Sequence, residues 1–317
     1  MMTYTQLLLA IVPVFALIVL GAGLRHFDFV TEQAETSLFN LVIKLTYPAL
    51  IFEAVAGNRT LHEPGNLLLP PVAGFGLTVV SMAVAWYAAR ALGLTLGHGL
   101  RTFTLAVSLT NYGYLPIPIM DAMFGPDSRA VLLVHNVGVE AALWTAGVLV
   151  VTGTSPLRGW RQLFNPPIVA LVVALAANLT GVAARLPDVF FQFVHALAVC
   201  AIPLGLLMTG VSIRPHLDDP KQLVNPRVTL AAWLLRLAVL PWCYLLAARF
   251  LPCPVELKRV LVVQAAMPSA VISVIVARVY GGQALVAVQI VFGTTALALF
   301  TIPFWIRFGL AFAGLAP

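Results

Sequence analysis

Ten stretches of this chain are apolar for long enough to cross the hydrocarbon of a bilayer as a helix, which takes roughly twenty residues. They run Leu7–Leu24, Leu38–Ala56, Leu67–Ala89, Thr102–Met120, Val131–Val151, Ile168–Ala184, Val189–Val211, Val228–Ala248, Val260–Ala277 and Ala284–Ile306. Turn formers and charges gather between them, as in Gly57-Asn58-Arg59 and Arg214-Pro215-His216-Leu217-Asp218-Asp219-Pro220, and no connection is long enough for a soluble domain. Only 9% of the residues are charged and the mean hydropathy is +0.97. A soluble domain carries roughly 25% charged residues. A surface this poor in charge is stable only against an apolar solvent. The chain therefore reads as an all-α polytopic membrane protein.

The formal charge of +6 does not point to nucleic acid, because the basic residues stand singly between apolar runs. They suit lipid headgroups at the membrane surface. The first of them, Arg25, follows the first apolar run, which argues against a cleaved leader. Cys200, Cys243 and Cys253 lack metal-site spacing and read as small core residues. Nine Lys and Arg lie in connections after odd-numbered runs and seven on the opposite side. That bias places both termini outside the cytoplasm of a cell (inner) membrane.

Landmarks recur at a nearly constant offset of 154 to 157 positions. Pro13 answers to Pro167, Pro48 to Pro203, Arg101 to Lys258, Phe124-Gly125 to Tyr280-Gly281 and Trp144 to Phe300. Two halves follow, residues 1–155 and 156–317, with five runs each. An odd number of crossings starts the second half on the opposite side, so the halves are inverted. Inverted repeats suit secondary transporters, whose two halves exchange inward-open and outward-open shapes.

The fourth run contains Thr110-Asn111-Tyr112-Gly113-Tyr114-Leu115-Pro116-Ile117-Pro118, and the ninth contains Gln264-Ala265-Ala266-Met267-Pro268-Ser269-Ala270. Proline removes a backbone donor and clashes with the preceding turn, so both helices should break near mid-span. Irregular backbone at membrane depth is tolerated only against protein or a water-filled cavity. Paired breaks at matching positions mark a transport site. A half-helix starting near Pro118 offers its positive end to an anion. Asn111 and Ser269 add polar side chains.

Asn111-Tyr112-Gly113-Tyr114-Leu115-Pro116-Ile117-Pro118 resembles the fourth-span stretch of the auxin efflux carrier family. Pro268-Ser269-Ala270 followed by Ala277-Arg278-Val279-Tyr280-Gly281-Gly282 is similar to the ninth-span signature of its bacterial members. The resemblance implies a ten-helix inverted-repeat fold shared with bile acid/sodium symporters, with helices 4 and 9 broken and crossing. It implies an elevator-like transport domain moving against a scaffold, a homodimer, and a carboxylate bound around Asn111, Gly113, Tyr114, Pro116, Pro118, Pro268 and Ser269. The short link over residues 152–165 and the third run, which lacks an acidic residue, depart from the plant members. Auxin is thus disfavoured against dicarboxylates of the kind linked to bacterial relatives.

Ionisable groups within spans suggest function. Lys44 either neutralises a carboxylate solute or snorkels to the interface. Asn136 and Glu140 share a helical face, and Glu140 is a candidate proton carrier. His135 reads as a satisfied core histidine. Arg236 needs a partner, whether a helix carbonyl, a headgroup or Glu140. Gln264 is a candidate for ion or solute contact. Proton coupling through Glu140 and sodium coupling of the bile acid type both stay open. No cofactor or metal is expected. The HExxH and Gly-x-Ser-x-Gly patterns of enzymes are missing, as is a ring-forming filter motif, so the chain reads as a carrier rather than an enzyme or channel.

Overall fold

In the computed structural model, residues 3–97, 99–154, 156–217 and 226–315 are described. Asp218, Asp219, Pro220 and Lys221 of the longest charged connection lie outside them. Every regular element among the described residues is helical. In chain order they are α1 Tyr4–His26, α2 Glu32–Ala56, α3 Pro64–Ala91, α4 Leu100–Ser108, α5 Pro116–Thr152 and α6 Pro166–Leu179. There follow α7 Asp188–Ile213, α8 Pro226–Phe250, α9 Val255–Ala266, α10 Ile272–Val279 and α11 Ala284–Phe312. Seven of these, α1, α2, α3, α5, α7, α8 and α11, are long and apolar enough to span a membrane, and α6 is a shorter apolar helix.

Local chemistry sets these boundaries. Thr3 caps α1 in a capping box with Gln6, and Asn165 caps α6 by accepting the Ile168 N–H at 2.9 Å. Proline occupies the first turn of α3, α5 and α6, where a missing N–H costs nothing. The fourth and fifth apolar runs join without a loop. They bend at Gly125, whose φ of 77° and ψ of −169° only glycine adopts readily, with Pro126 directly after it. Three helices each carry one π-turn: Val42–Thr46 in α2, Leu143–Gly147 in α5 and Leu235–Val239 in α8.

Packing sorts the helices into two groups. In one, α1 lies along α7, and α2 packs on α6 and α7. In the other, α3 lies along α5, α9 packs on α5, α8 and α11, and α8 meets α11. Contacts between the groups are sparser, mainly α1 with α11 and α2 with α5. Small residues permit the closest approaches, because lipid supplies no hydrophobic drive and van der Waals fit decides. A Cβ on Gly210 would strike the Ile18 carbonyl of α1, and one on Gly138 would strike the Pro71 carbonyl of α3.

Candidate functional site

The two proline-bearing interruptions meet inside the molecule. After α4 the chain runs extended from Leu109 before α5 begins at Pro116. After α9 it is extended at Met267, and α10 starts at Ile272. Thr110 and Ser269 form an antiparallel bridge. The Asn111 N–H donates to the Pro268 carbonyl at 2.7 Å, and the Ala270 N–H donates to the Leu109 carbonyl at 3.0 Å. Each break thus supplies partners for backbone groups that the other leaves without helical bonds, which burial makes obligatory. The Ser269 N–H is held separately, donating to Thr294 Oγ1 of α11 at 3.2 Å.

Beside this crossover lies a cavity of about 280 Å³. The first break lines it with Asn111, Tyr112, Gly113 and Tyr114, and the second with Ala270 and Val271, followed by Ile272 of α10. Helix α2 contributes Phe39, Ile43 and Tyr47; α5 contributes Glu140 and Trp144. Tyr47 and Tyr114 meet edge to face with ring centroids 5.4 Å apart. Asn136 Nδ2 donates to the Tyr112 carbonyl at 2.8 Å and anchors the unwound segment to α5. Asn165 Nδ2 donates to Glu140 Oε2 at 2.5 Å, so the residue that caps α6 also holds the carboxylate. Among the described residues, Glu140 is the one carboxylate on the lining, and no Lys, Arg or His lines the cavity.

A second cavity of about 430 Å³ continues outward, sharing Phe39, Ser212, Val271 and Ile275 with the first. Its mouth carries Glu32, Glu35 and Arg278. Ser212 Oγ donates to Glu35 Oε1 at 2.9 Å, joining α7 to α2 there.

Among the residues singled out by sequence, Asn111, Gly113, Tyr114 and Glu140 line the inner cavity. Asn136 lines a small adjoining cavity that shares Tyr47, Glu140 and Pro167 with this one, and it holds Tyr112. Pro116, Pro268, Ser269 and Gln264 are buried behind it, and Pro118 lies in the first turn of α5. The half-helix therefore starts two residues before Pro118, because Pro116 suits the first helical position. Lys44 is exposed in the π-turn of α2 and does not line the cavity, so the structure does not bring it to the site. Glu53 pairs with His195 of α7 at 2.5 Å. His135 is buried in α5, next to Asn136. Arg236 meets backbone carbonyls of the second break. Sequence reasoning missed Tyr47, Tyr112, Trp144 and Asn165. Signals existed for Trp144, itself a repeat landmark, for Tyr112, inside the first break, and for Tyr47, which precedes the landmark Pro48.

The model of the family described as membrane transport protein matches residues 6–156 and 151–306. An uncharacterized transporter of Methanothermobacter thermautotrophicus is 26% identical over 302 residues, covering 93% of this chain and 96% of that protein. An uncharacterized transporter of Methanocaldococcus jannaschii is 22% identical over 298 residues, covering 92% and 95% respectively. Auxin efflux carrier component 8 of Arabidopsis thaliana is 26% identical over 139 residues, which are 43% of this chain and 37% of the plant protein.

Proposed function

The chain belongs to the membrane transport protein family, the family of the auxin efflux carriers, and is a multi-pass membrane transporter; we propose that it moves a small organic anion, a carboxylate, by secondary transport. The observation that carries this is the crossover: two helices interrupted at proline, hydrogen-bonded to each other, beside a cavity of about 280 Å³. Small-solute sites are concave and mostly preformed, at roughly 300–1,000 Å³. Unwound helices at membrane depth are where secondary transporters hold their solutes.

In this reading the chain crosses ten times, in two inverted halves, 1–155 and 156–317. The fourth crossing is α4 with the first turns of α5, the fifth is α5 beyond Gly125, and the ninth is α9 with α10. The recurrence of Pro48 at Pro203 and of one break at the other supports it. So does the parting of the family match near residues 151–156. The two packing groups supply a division of labour. Helices α1, α2, α6 and α7 form the scaffold, and the rest carry the crossover as an elevator. Both termini lie outside the cytoplasm in the cell (inner) membrane, so the mouth at Glu32 and Arg278 opens inward. A homodimer through the scaffold is part of the proposal.

The chemistry favours an anion that travels with a proton. Both α5 and α10 begin at the crossover, and helix N-termini favour negative charge. Glu140 would repel a carboxylate while ionised, and among the described residues no basic side chain on the lining offsets it. An anion is therefore accommodated when Glu140 carries a proton. Purified protein screened by thermal shift against mono- and dicarboxylates and organic cations, with and without sodium and at two pH values, tests this. A bound carboxylate at a hundred times its Kd should stabilise by about 2.7 kcal/mol, and more strongly at the lower pH. Stabilisation by organic cations but by no carboxylate overturns the proposal.

A further inference from the structure

Arg236 is completely buried, and its side chain reaches the second break from the π-turn of α8. Its Nε donates to the Met267 carbonyl at 2.9 Å, and its Nη2 donates to the Gln264 carbonyl at 3.4 Å. These oxygens belong to the last turn of α9 and the residue just past it. They are carbonyls at the negative end of a half-helix, where the intrahelical ladder runs out; the Gln264 oxygen keeps one backbone partner, the Met267 N–H at 3.3 Å. The Tyr244 ring lies 6.0 Å from the guanidinium carbon. Among the described residues no carboxylate forms an ion pair with Arg236. A buried guanidinium stays protonated, so its charge must be offset by what surrounds it. Here that is the carbonyl end of a broken helix.

Such carbonyls are the oxygens that coordinate a coupling cation in transporters built on broken helices. We propose that Arg236 is a tethered cation, occupying the place of a sodium ion at the crossover, so that this protein's cycle runs without sodium. A second monovalent cation on the same oxygens would sit about 4 Å from a fixed positive charge, a repulsion near a thousandfold in affinity at an effective dielectric of about 20. The arrangement is confined to one half. The position 155 residues earlier is Ser81 in α3, which is neutral. At the first break the Tyr112 carbonyl takes its hydrogen bond from Asn136, an uncharged amide. Arg236 does not line the cavity, so it acts as a positioning residue for the break and not as a solute ligand.

The inference rests on reading the crossover as the transport site, and its test needs no transport. Purified wild type, Arg236→Lys and Arg236→Met are melted in sodium, potassium and choline chloride at equal ionic strength. The wild type and Arg236→Lys should melt at the same temperature in all three salts. Arg236→Met should melt lower and recover with sodium concentration, and not with choline, as an ion binding the vacated carbonyls requires. If Arg236→Met does not yield folded protein, Arg236→Gln removes the charge and keeps a donor. Sodium-specific stabilisation of the wild type overturns the inference. So does a charge-removing variant that folds and is blind to sodium. A sodium-blind wild type with a sodium-responsive variant, but no carboxylate response, keeps the tethered cation and removes the proposed solute.

Discussion

Asn136→Ala probes how the first break is held, and its size can be worked from the structure. The substitution deletes one neutral hydrogen bond of 2.8 Å to the Tyr112 carbonyl. Such a bond contributes about 1 kcal/mol net, and an acceptor left dry costs about 1–3 kcal/mol. Tyr112 lines the cavity, so water can reach that neighbourhood and keep the cost low in the range. Replacing Asn by Ala inside a helix returns about half a kcal/mol of propensity. The expected loss of stability is therefore about 1 kcal/mol, about 1–2 degrees in Tm for a chain of this size. The solute should feel more than the fold does. With Tyr112, Gly113 and Tyr114 no longer anchored to α5, apparent affinity should fall by roughly three- to tenfold, the equivalent of about 0.7–1.4 kcal/mol. Thermal melts and concentration-dependent uptake in proteoliposomes measure the two quantities on one preparation. A large loss of Tm with unchanged apparent affinity would refute the reasoning, because it would make Asn136 a fold-stabilising residue and nothing more.

Three further outcomes are expected. Asn111→Ala keeps the backbone bond to Pro268 and removes only the side chain facing the cavity, so uptake should fall while expression and Tm hold; unchanged uptake counts against a site there. Glu140→Gln should leave uptake insensitive to pH between 5 and 8 or so, where a wild-type carrier of a proton through this residue responds; a wild-type profile in the variant rejects the role. Gly138→Val places side-chain atoms against the Pro71 carbonyl and should cost about 3 kcal/mol through overpacking of α3 on α5, read as loss of monodisperse protein on size exclusion.

What the sequence made legible depended on how local its physics was. The apolar runs and both breaks follow from residues adjacent in the chain, since prolines 116, 118 and 268 act on their own turns. That the two breaks meet was implied by the family resemblance, and the structure has the Asn111 N–H donating to the Pro268 carbonyl. Side-chain placement was less readable. Lys44 is four residues from Pro48 in a region where a π-turn shifts every later side chain, so regular helical spacing could not tell that it points away from the cavity. The bond from Asn165 to Glu140 joins a helix cap to a span 25 positions earlier, with no periodicity to announce it. Arg236 was conspicuous as a lone buried charge, yet two of its partners are main-chain carbonyls, which carry no residue identity to search for.

The wide turn at Val42–Thr46 also sets an azimuth. Each residue of a regular helix advances by about 100° around its axis, and a π-turn accommodates one more residue than an α-turn would. Phe39 before it and Tyr47 after it both face the cavity. Excising a single residue from this stretch would therefore restore a regular helix and leave Tyr47, and everything beyond it in α2, on the face they now occupy. Straightening the turn without shortening the chain would instead swing Tyr47 through roughly a quarter of a revolution, re-aiming that wall of the pocket with the hydropathy profile unaltered.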